Sequence, residues 1–208
     1  KEIVPLSAED EKVVEFKKKY GLQDKFVIMY SGNIGLYYDL ANIMKIIHKF
    51  ESKKDVIFAF VGAGSVLEEL KAYQKEHTLE NVVFIPYQDK ADLVYSLNAG
   101  DVHFVVNAKG IKGVSVPSKL YGVMSAGKAV LGILEENSEA RLIIEDSECG
   151  LSVNPGDYEA IESLMQKFID LKDSDELREM GNNGRNYLVK NLTKDVSIDR
   201  YHDEILSC

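Results

Sequence analysis

The segment from Val116 to Leu131 contains the residues best suited to bind a charged ligand. It begins with Pro-Ser-Lys, continues as an apolar run of helical length, and ends with Gly127 and an apolar strand. This pattern predicts a helix at Ser118–Ala126 whose free N–H groups and positive dipole end attract an anion. Lys119 adds a full positive charge at the first turn. The predicted chemistry is the binding of a phosphate-bearing ligand.

Three residues at this turn are the predicted phosphate contacts. The hydroxyl and N–H of Ser118, together with the N–H groups of Lys119 and Leu120, can converge on a phosphate oxygen. Ser118 also suits an ordinary helix N-cap, and the two roles use the same geometry without excluding one another.

Two glycine-containing loops supply further candidates. Gly32 and Gly35 either let the backbone approach a ligand or let a helix pack closely on a strand, and Asn33 adds a polar side chain between them. Gly62 and Gly64 follow the next apolar run and either face the ligand or form a tight turn. The Gly-x-x-Gly spacing is not the dinucleotide fingerprint, and no acidic residue closes the second strand, so an NAD-dependent dehydrogenase is disfavoured.

Tyr87 and Lys112 are the remaining candidates for ligand binding. Tyr87 follows the third apolar run and either stacks on a nucleobase or is a half-buried surface tyrosine. Lys112 belongs to the segment 110–115, which either wraps around a ligand or is only a mobile loop. The four histidines lie far apart without metal-ligand spacing, so no metal site is expected, and His103 in an apolar strand is interpreted as structural.

These candidates must be held by strands and helices that alternate along the chain. Strands are predicted at Phe26–Ser31, Val56–Val61, Val82–Ile85, Val102–Val106, Ala129–Ile133 and Gly150–Val153. Helices are predicted at Leu40–Phe50, Val66–His77, Lys90–Ala99, Ser118–Ala126 and Glu139–Asp146. The alternation predicts an α/β fold, a Rossmann-like doubly wound parallel sheet of about six strands, each of them central because both faces are apolar. Ligands then bind beyond the carboxyl ends of the strands.

The two ends of the chain are predicted to be helical. Ser7 is expected to cap a first helix that stops at Gly21, so residues 1–22 are a linker and the first helix. Residues 157–208 form a helical C-terminal tail, which suits packing across a second domain. Its helices are predicted at Ala160–Leu171, Glu176–Lys190 and Asp195–Leu206.

Size and charge limit the class of protein. The 208 residues suit one α/β domain, and a net charge of −9 opposes nonspecific binding to nucleic acid. No apolar run approaches the length of a membrane span, and the two cysteines give neither a disulfide framework nor a metal site, so a cytoplasmic protein is expected. Because the first residue is Lys1 rather than Met, the chain is interpreted as a piece of a longer protein.

Several segments, in order and spacing over residues 24 to 190, resemble the nucleotide-sugar-dependent glycosyltransferases of family 4, group 1 type. The resemblance includes the glycine loop after the first strand, a Val-Gly-x-Gly segment, an Asn-Val-x-Phe-x-Gly-Tyr-like segment, the Pro-Ser-Lys turn and a Gly-Leu-x-Val-x-Pro-Gly-Asp stretch. In this chain they are Tyr30–Gly35, Phe60–Gly64, Glu80–Tyr87, Val116–Leu131 and Cys149–Asp157.

The resemblance implies a donor-binding domain, the C-terminal half of a retaining enzyme of the two-domain GT-B type. Such an enzyme moves a hexosyl or N-acetylhexosaminyl group from a UDP or GDP sugar, with no separate cofactor, onto a glycan or lipid-linked acceptor. It implies that Lys119 is catalytic, stabilising the leaving diphosphate, and that Tyr87 is near the base. The acceptor would bind through a missing N-terminal domain. The setting implied is polysaccharide biosynthesis in the cytoplasm, with possible peripheral association at the inner face of the membrane.

The chain departs from the family at two carboxylates that bracket the phosphate-binding turn. Val114 and Gly122 occupy those positions, so no ribose contact is assigned to Gly122. The basic residues that commonly follow the glycine loop are also absent, with Asn33 and Tyr37 nearby instead. A nucleotide-sugar epimerase of related architecture and a noncatalytic nucleotide-binding or interaction module remain alternatives.

Overall fold

The computed structural model describes residues 2–113 and 117–192. Six strands form one parallel sheet in these ranges, and their spatial order is β3-β2-β1-β4-β5-β6. The strands are β1 (Phe26–Ser31), β2 (Val56–Val61), β3 (Val82–Ile85), β4 (Val102–Val106), β5 (Ala129–Ile133) and β6 (Gly150–Val153). The predicted bounds of all six strands and the doubly wound α/β class are confirmed.

Eight helices and one short 3-10 helix, Leu36–Tyr38, surround the sheet in the described ranges. The helices are α1 (Glu11–Lys19), α2 (Leu40–His48), α3 (Leu67–Glu76), α4 (Leu93–Ala99), α5 (Lys119–Ser125), α6 (Glu139–Ser147), α7 (Tyr158–Asp170) and α8 (Glu176–Asn191). They agree with the predicted helices to within three residues at each end. The predicted helix Asp195–Leu206 lies outside the described residues.

The start of α1 differs from the prediction. Asp10, not Ser7, is its N-cap, and the Asp10 carboxylate accepts hydrogen bonds from the amides of Lys12 and Val13. The Ser7 hydroxyl instead accepts the amide of Glu9 in the preceding turn. Both residue types cap helices, and Asp10 lies one residue before the first helical position, where its side chain reaches the free amides.

The prediction that every strand is central is wrong for β3 and β6, which form the two edges of the sheet. Each has four residues, and half or more of their side chains are only partly buried. A short apolar run does not reveal whether it will have one neighbouring strand or two, so hydrophobic composition does not distinguish an edge strand from a central one.

The core has two layers because each strand sends alternate side chains to opposite faces. One face carries Tyr30 and Phe58 and packs against α2 and α7. The other face packs against α1 and α4 on one side and against α5 and α8 on the other. As far as Leu192, the predicted helical tail therefore packs on this domain's own sheet, and the Cβ of an alanine at Gly181 in α8 would lie 2.0 Å from the Gly127 carbonyl oxygen.

The strand order reverses between β1 and β4, and these strands separate toward their carboxyl ends. They pair at Ile28 with Val102 and at Met29 with His103, while β1 and β2 stay paired as far as Ser31 and Val61. A reversal of this kind opens a crevice beyond the carboxyl ends of the strands. The fold therefore provides a ligand-sized opening between β1 and β4.

Candidate functional site

A cavity of about 580 Å³ lies at this reversal, between the carboxyl ends of β1, β2 and β4 and helices α4 and α5. We call it the strand-end cavity. Its volume is within the usual range for small-molecule sites. Six of the predicted binding residues line it: Gly32, Asn33, Gly62, Tyr87, Ser118 and Lys119. Residues from four separate loops of the sequence are thus brought to one opening.

Gly35 and Gly64 lie behind the wall of the cavity, against the Asn33 side chain. A Cβ on Gly35 would lie 3.0 Å from Asn33 Nδ2, and one on Gly64 would lie 2.6 Å from Asn33 Oδ1. A larger residue at position 35 would press on the Asn33 side chain, whereas at position 64 the added atom would first meet the Ile34 carbonyl oxygen at 2.3 Å. Gly35 therefore leaves room for the Asn33 side chain, and Gly64 allows close backbone packing.

The two glycine loops are joined through their backbones. The amide of Gly32 donates to the carbonyl of Val61 at 2.9 Å, and the amide of Gly62 donates to that of Ile85 at 3.0 Å. These amides continue the sheet bonding by one residue and are occupied. Gly62 lines the cavity, and its backbone also packs closely against the Gly32 carbonyl.

Lys119 extends from the start of α5 to the Gly32 backbone. A Cβ on Gly32 would lie 3.8 Å from Lys119 Nζ, so the glycine leaves room beside the ammonium group. The ammonium donates a hydrogen bond of 2.7 Å to the hydroxyl of Tyr30. It also lies 3.9 Å from the ring centroid of Tyr30 and 4.1 Å from that of Tyr38, close enough for cation–π attraction.

The charge of Lys119 has no carboxylate partner among residues 2–113 and 117–192. Burial lowers the pKa of the Lys119 ammonium from 10.5 to about 7. Burial, with Tyr38 nearby, raises the pKa of Tyr30, so this phenol stays protonated and neutral. Lys119 and Lys90 line the cavity and no carboxylate of the described residues does, which favours the binding of an anion.

The first turn of α5 differs in part from the expectation. Ser118 is exposed and its hydroxyl makes no capping hydrogen bond, so the hydroxyl is available to a ligand. The Leu120 amide instead donates to the Pro117 carbonyl at 3.0 Å, and the Leu120 side chain is fully buried in the core. A tight turn at the helix start consumes this N–H, so Leu120 is not placed to bind phosphate as the sequence predicted.

Tyr87 and Lys112 have different positions relative to the cavity. Tyr87 is 71% exposed at the mouth of the cavity, so it is not the half-buried tyrosine of the alternative interpretation. Lys112 instead lines a separate groove, where its amide and that of Gly110 each donate to Glu135 Oε2 at 3.0 Å. The structure does not bring Lys112 to the cavity, and position 114 lies outside the described residues.

His103 forms part of the cavity wall and is buried. Its Nε2 lies 2.9 Å from the Leu97 carbonyl oxygen, and burial lowers the pKa of this histidine to about 3. The ring is therefore neutral, which agrees with the structural role predicted for it.

Within the part of the chain that the structure describes, no group of three potential metal ligands is present. No helix of these residues is long and apolar enough to cross a bilayer.

Sequence reasoning missed Tyr30 and Tyr38, the two residues that surround the Lys119 ammonium. Tyr30 lies in a mostly apolar strand, and its position there indicates a core residue. A phenol one residue before the end of such a strand is the signal that was available, because a buried hydroxyl needs a partner. Tyr38 gives no comparable signal in the sequence.

The fold and the cavity define a class of protein: a doubly wound α/β domain with a cavity suited to an anionic small molecule at its topological switch point. Comparison with known proteins then identifies the family. The profile of the glycosyl transferases group 1 matches residues 13–187, and the chain belongs to this family.

Two curated relatives are similar over part of their length. The chain is 27% identical over 201 residues to the probable glycosyltransferase WbjE of Pseudomonas aeruginosa, which covers 97% of this chain and 48% of that protein. It is 30% identical over 139 residues to the putative colanic acid biosynthesis glycosyl transferase WcaI of Escherichia coli K12, covering 66% of this chain and 34% of that protein. The chain thus spans half or less of the curated relatives it matches.

Solved structures share the fold at low sequence identity. The C-terminal domain of the group 1 glycosyl transferase LpcC of Francisella tularensis has a TM-score of 0.73 at 19% identity, with 92% of this chain and 96% of that chain covered. Anabaena HepE, solved in complex with UDP and glucose, has a TM-score of 0.77 at 17% identity, with 99% of this chain and 54% of that chain covered. At these identities, both similarities are evidence of a shared fold alone.

Proposed function

We propose that this chain is the donor-binding domain of a retaining glycosyltransferase with two Rossmann-like domains. The observation that carries the proposal is the unpaired ammonium of Lys119 at the β1–β4 opening, beside the Gly32 backbone. A domain of this family with an unpaired cation at its switch point is suited to bind a nucleotide diphosphate sugar. Structures of the same fold, which include Anabaena HepE in complex with UDP-glucose and S. aureus TarM in complex with UDP, support a donor of this type.

The cavity suggests how a donor would lie. The diphosphate meets Lys119 and Ser118, the base reaches Tyr87 at the mouth and stacks on its ring, and Asn33 is available to the sugar. Lys112 would take part only if the segment that carries it approached the cavity. Ribose contacts from a carboxylate at Gly122 are absent from the proposal because this position has no side chain.

Lys119 would act on the leaving group. As the bond between the anomeric carbon and the phosphate oxygen breaks, an acceptor hydroxyl oxygen bonds to that carbon and the nucleotide diphosphate departs with added negative charge. An ammonium already in place stabilises this charge more in the transition state than in the ground state, and that difference increases the rate. In this proposal the lysine supplies the positive charge, so no separate cofactor is needed.

The wider setting is also part of the proposal. The chain covers half or less of its relatives, so a second domain would supply the acceptor site for a glycan or lipid-linked acceptor. Transfer of a hexosyl or N-acetylhexosaminyl group in cell-surface polysaccharide synthesis is in keeping with the similarity to WcaI, a putative colanic acid biosynthesis glycosyl transferase. The complete enzyme would work in the cytoplasm, peripherally at the inner face of the membrane.

Calorimetry with UDP, GDP, ADP and their sugars tests the proposal. We expect saturable binding that weakens about tenfold or more in Lys119→Ala, because a charge-assisted contact to phosphate is lost. Lys54→Ala is the matched control, since Lys54 forms only an exposed ion pair with Glu80, and its affinity should be unchanged. A folded sample that binds none of these ligands would favour the noncatalytic interaction module.

The epimerase is disfavoured because no carboxylate lines the cavity among the described residues.

A further inference from the structure

Tyr30 has a role that the donor-site proposal does not assign. Its side chain is fully buried, and its hydroxyl makes two hydrogen bonds. It accepts the Lys119 ammonium at 2.7 Å and donates to the Asn33 backbone carbonyl at 2.6 Å. One hydroxyl therefore joins the cation of the cavity to the glycine loop after β1.

The other described contacts of the ammonium are less directional. The rings of Tyr30 and Tyr38 attract it through their faces, and Gly32 only leaves room for it. Attraction to a ring face allows a range of positions, whereas a hydrogen bond fixes both distance and direction. The Tyr30 hydroxyl is thus the contact that determines where Nζ lies.

We propose that Tyr30 is a positioning residue, whose hydroxyl holds the Lys119 ammonium beside the Gly32 backbone and aligns it with the Asn33 loop. The proposal rests on the donor-binding function, because it concerns how the cation is presented to a diphosphate. A carboxylate in place of Tyr30 would hold the lysine more tightly but would also neutralise it. A neutral phenol orients the cation and leaves its charge to the ligand.

Two isosteric variants each remove one hydrogen-bonded phenol hydroxyl and keep the ring. Tyr30→Phe removes the acceptor of the ammonium, whereas Tyr73→Phe removes a hydroxyl that lies 3.1 Å from His48 Nδ1, outside the cavity. The probes are UDP and inorganic pyrophosphate, titrated by calorimetry between pH 6 and pH 9. We expect about tenfold weaker binding in Tyr30→Phe, the effect of losing one hydrogen bond to a charged group, and no significant change in Tyr73→Phe.

A second readout is the NMR titration of Lys119 in the ligand-free protein labelled with ¹³C-lysine. Loss of the hydroxyl acceptor disfavours the ammonium, so Tyr30→Phe should lower the titration midpoint of Lys119 while Tyr73→Phe should not. A purely structural role would change the thermal stability of Tyr30→Phe but leave both this midpoint and the affinity as in the wild type, and that result would overturn the proposal. Equal effects of the two variants would also overturn it, since a general loss of packing would then explain both.

Calorimetry and the NMR titration test the donor site and the positioning role separately. If the wild type binds neither probe, the donor-site proposal is wrong, and an unchanged or shifted Lys119 midpoint still decides whether Tyr30 positions the amine. If both probes bind in a Lys119-dependent manner but the midpoint is unchanged in Tyr30→Phe, the donor site stands and the positioning role is refuted.

Discussion

A Cβ atom on Gly62 would lie 2.0 Å from the carbonyl oxygen of Gly32. The loops after β1 and β2 are therefore in backbone contact, at a distance that no other residue at position 62 permits. Gly62 also has a φ of +143°, a conformation that side chains rarely adopt. The edge of the cavity that faces Lys119 is thus built from backbone packing rather than from side chains.

Gly62→Ala should destabilise the domain by about 3 kcal/mol or more, because strain in the backbone adds to a clash with a carbonyl that cannot move alone. Urea denaturation measures the change in the free energy of unfolding. Gly110→Ala is the control: its φ is +88°, but nothing lies within 4 Å of the added atom, so it should cost only about 1 kcal/mol. Equal costs for the two variants would show that the loops relax apart and that the close contact is unimportant.

Ligand affinity should decrease as the pH rises above 7. The pKa of Lys119 in the free protein is about 7, so above this pH the lysine must take up a proton to meet a diphosphate. UDP-glucose is the suitable probe because its diphosphate diester keeps its charge in this range. The affinity should fall by up to about tenfold for each pH unit above 7 until the pKa of the complex is reached.

Lys119→Arg provides the comparison for this pH profile, since a guanidinium stays protonated throughout. Its affinity is expected to be nearly independent of pH between 6 and 9, whatever its absolute value. A wild-type profile as flat as that of the arginine variant would mean that Lys119 is fully charged before the ligand binds.

The same lysine should reduce stability at neutral pH. Folding lowers the pKa of Lys119 from 10.5 to about 7, so between these values the unfolded chain binds more protons and the free energy of unfolding rises with pH. Lys119→Met should therefore be more stable than the wild type at pH 6 to 7, by about 1 to 3 kcal/mol, with the advantage shrinking toward pH 10. Denaturation at several pH values measures this, and Lys54→Met should show no such trend because Lys54 is exposed.

Gly122 is a glycine in the interior of α5 with space beside it. A Cβ there would meet Leu97 Cδ1 at 3.5 Å and Ile3 Cδ1 at 3.9 Å, both ordinary contacts. Gly122→Ala should therefore stabilise the domain by about 0.5 to 1 kcal/mol, the helix-propensity difference. Gly184→Ala in α8 is the opposite case, since its Cβ would lie 2.8 Å from Cys149 Cβ, and it should destabilise by about 1 to 3 kcal/mol. A thermal shift of the same sign for both would contradict this account.

The sheet was predictable because its strands are short apolar runs bounded by glycine and polar residues, and each was placed with its observed bounds. The edges β3 and β6 were not predictable in this way, because an apolar run does not reveal how many neighbouring strands it will have. The cap of α1 was misplaced because Ser7 and Asp10 are both good N-cap residues. Asp10 caps because it lies directly before the first helical residue, whereas the Ser7 hydroxyl is used in the preceding turn.

The site was predictable as a set of loops but not as a set of contacts. Parallel strands bring their carboxyl ends together, so the six cavity residues follow from the fold class. The partners of Lys119 do not follow from the fold class. They depend on how far β1 and β4 separate and on which face of the sheet Tyr30 occupies. Leu120 was assigned to phosphate because its amide belongs to the first turn, and only the structure shows that Pro117 takes that amide.

Asn98 in α4 connects the segment before α1 to the cavity, and its removal should loosen that wall. Its buried side chain accepts the Leu6 amide at 2.9 Å and donates to the Val4 carbonyl at 2.9 Å, while Ile3 next to them lines the cavity. Asn98→Ala leaves these two backbone groups without a side-chain partner and should cost about 2 kcal/mol, with faster amide exchange at Leu6. Hydrogen exchange followed by mass spectrometry measures it. Asn42→Ala, which removes an amide from a more exposed cluster, should leave exchange at Leu6 unchanged; similar exchange in Asn98→Ala and the wild type would show that this segment is held by its apolar contacts alone.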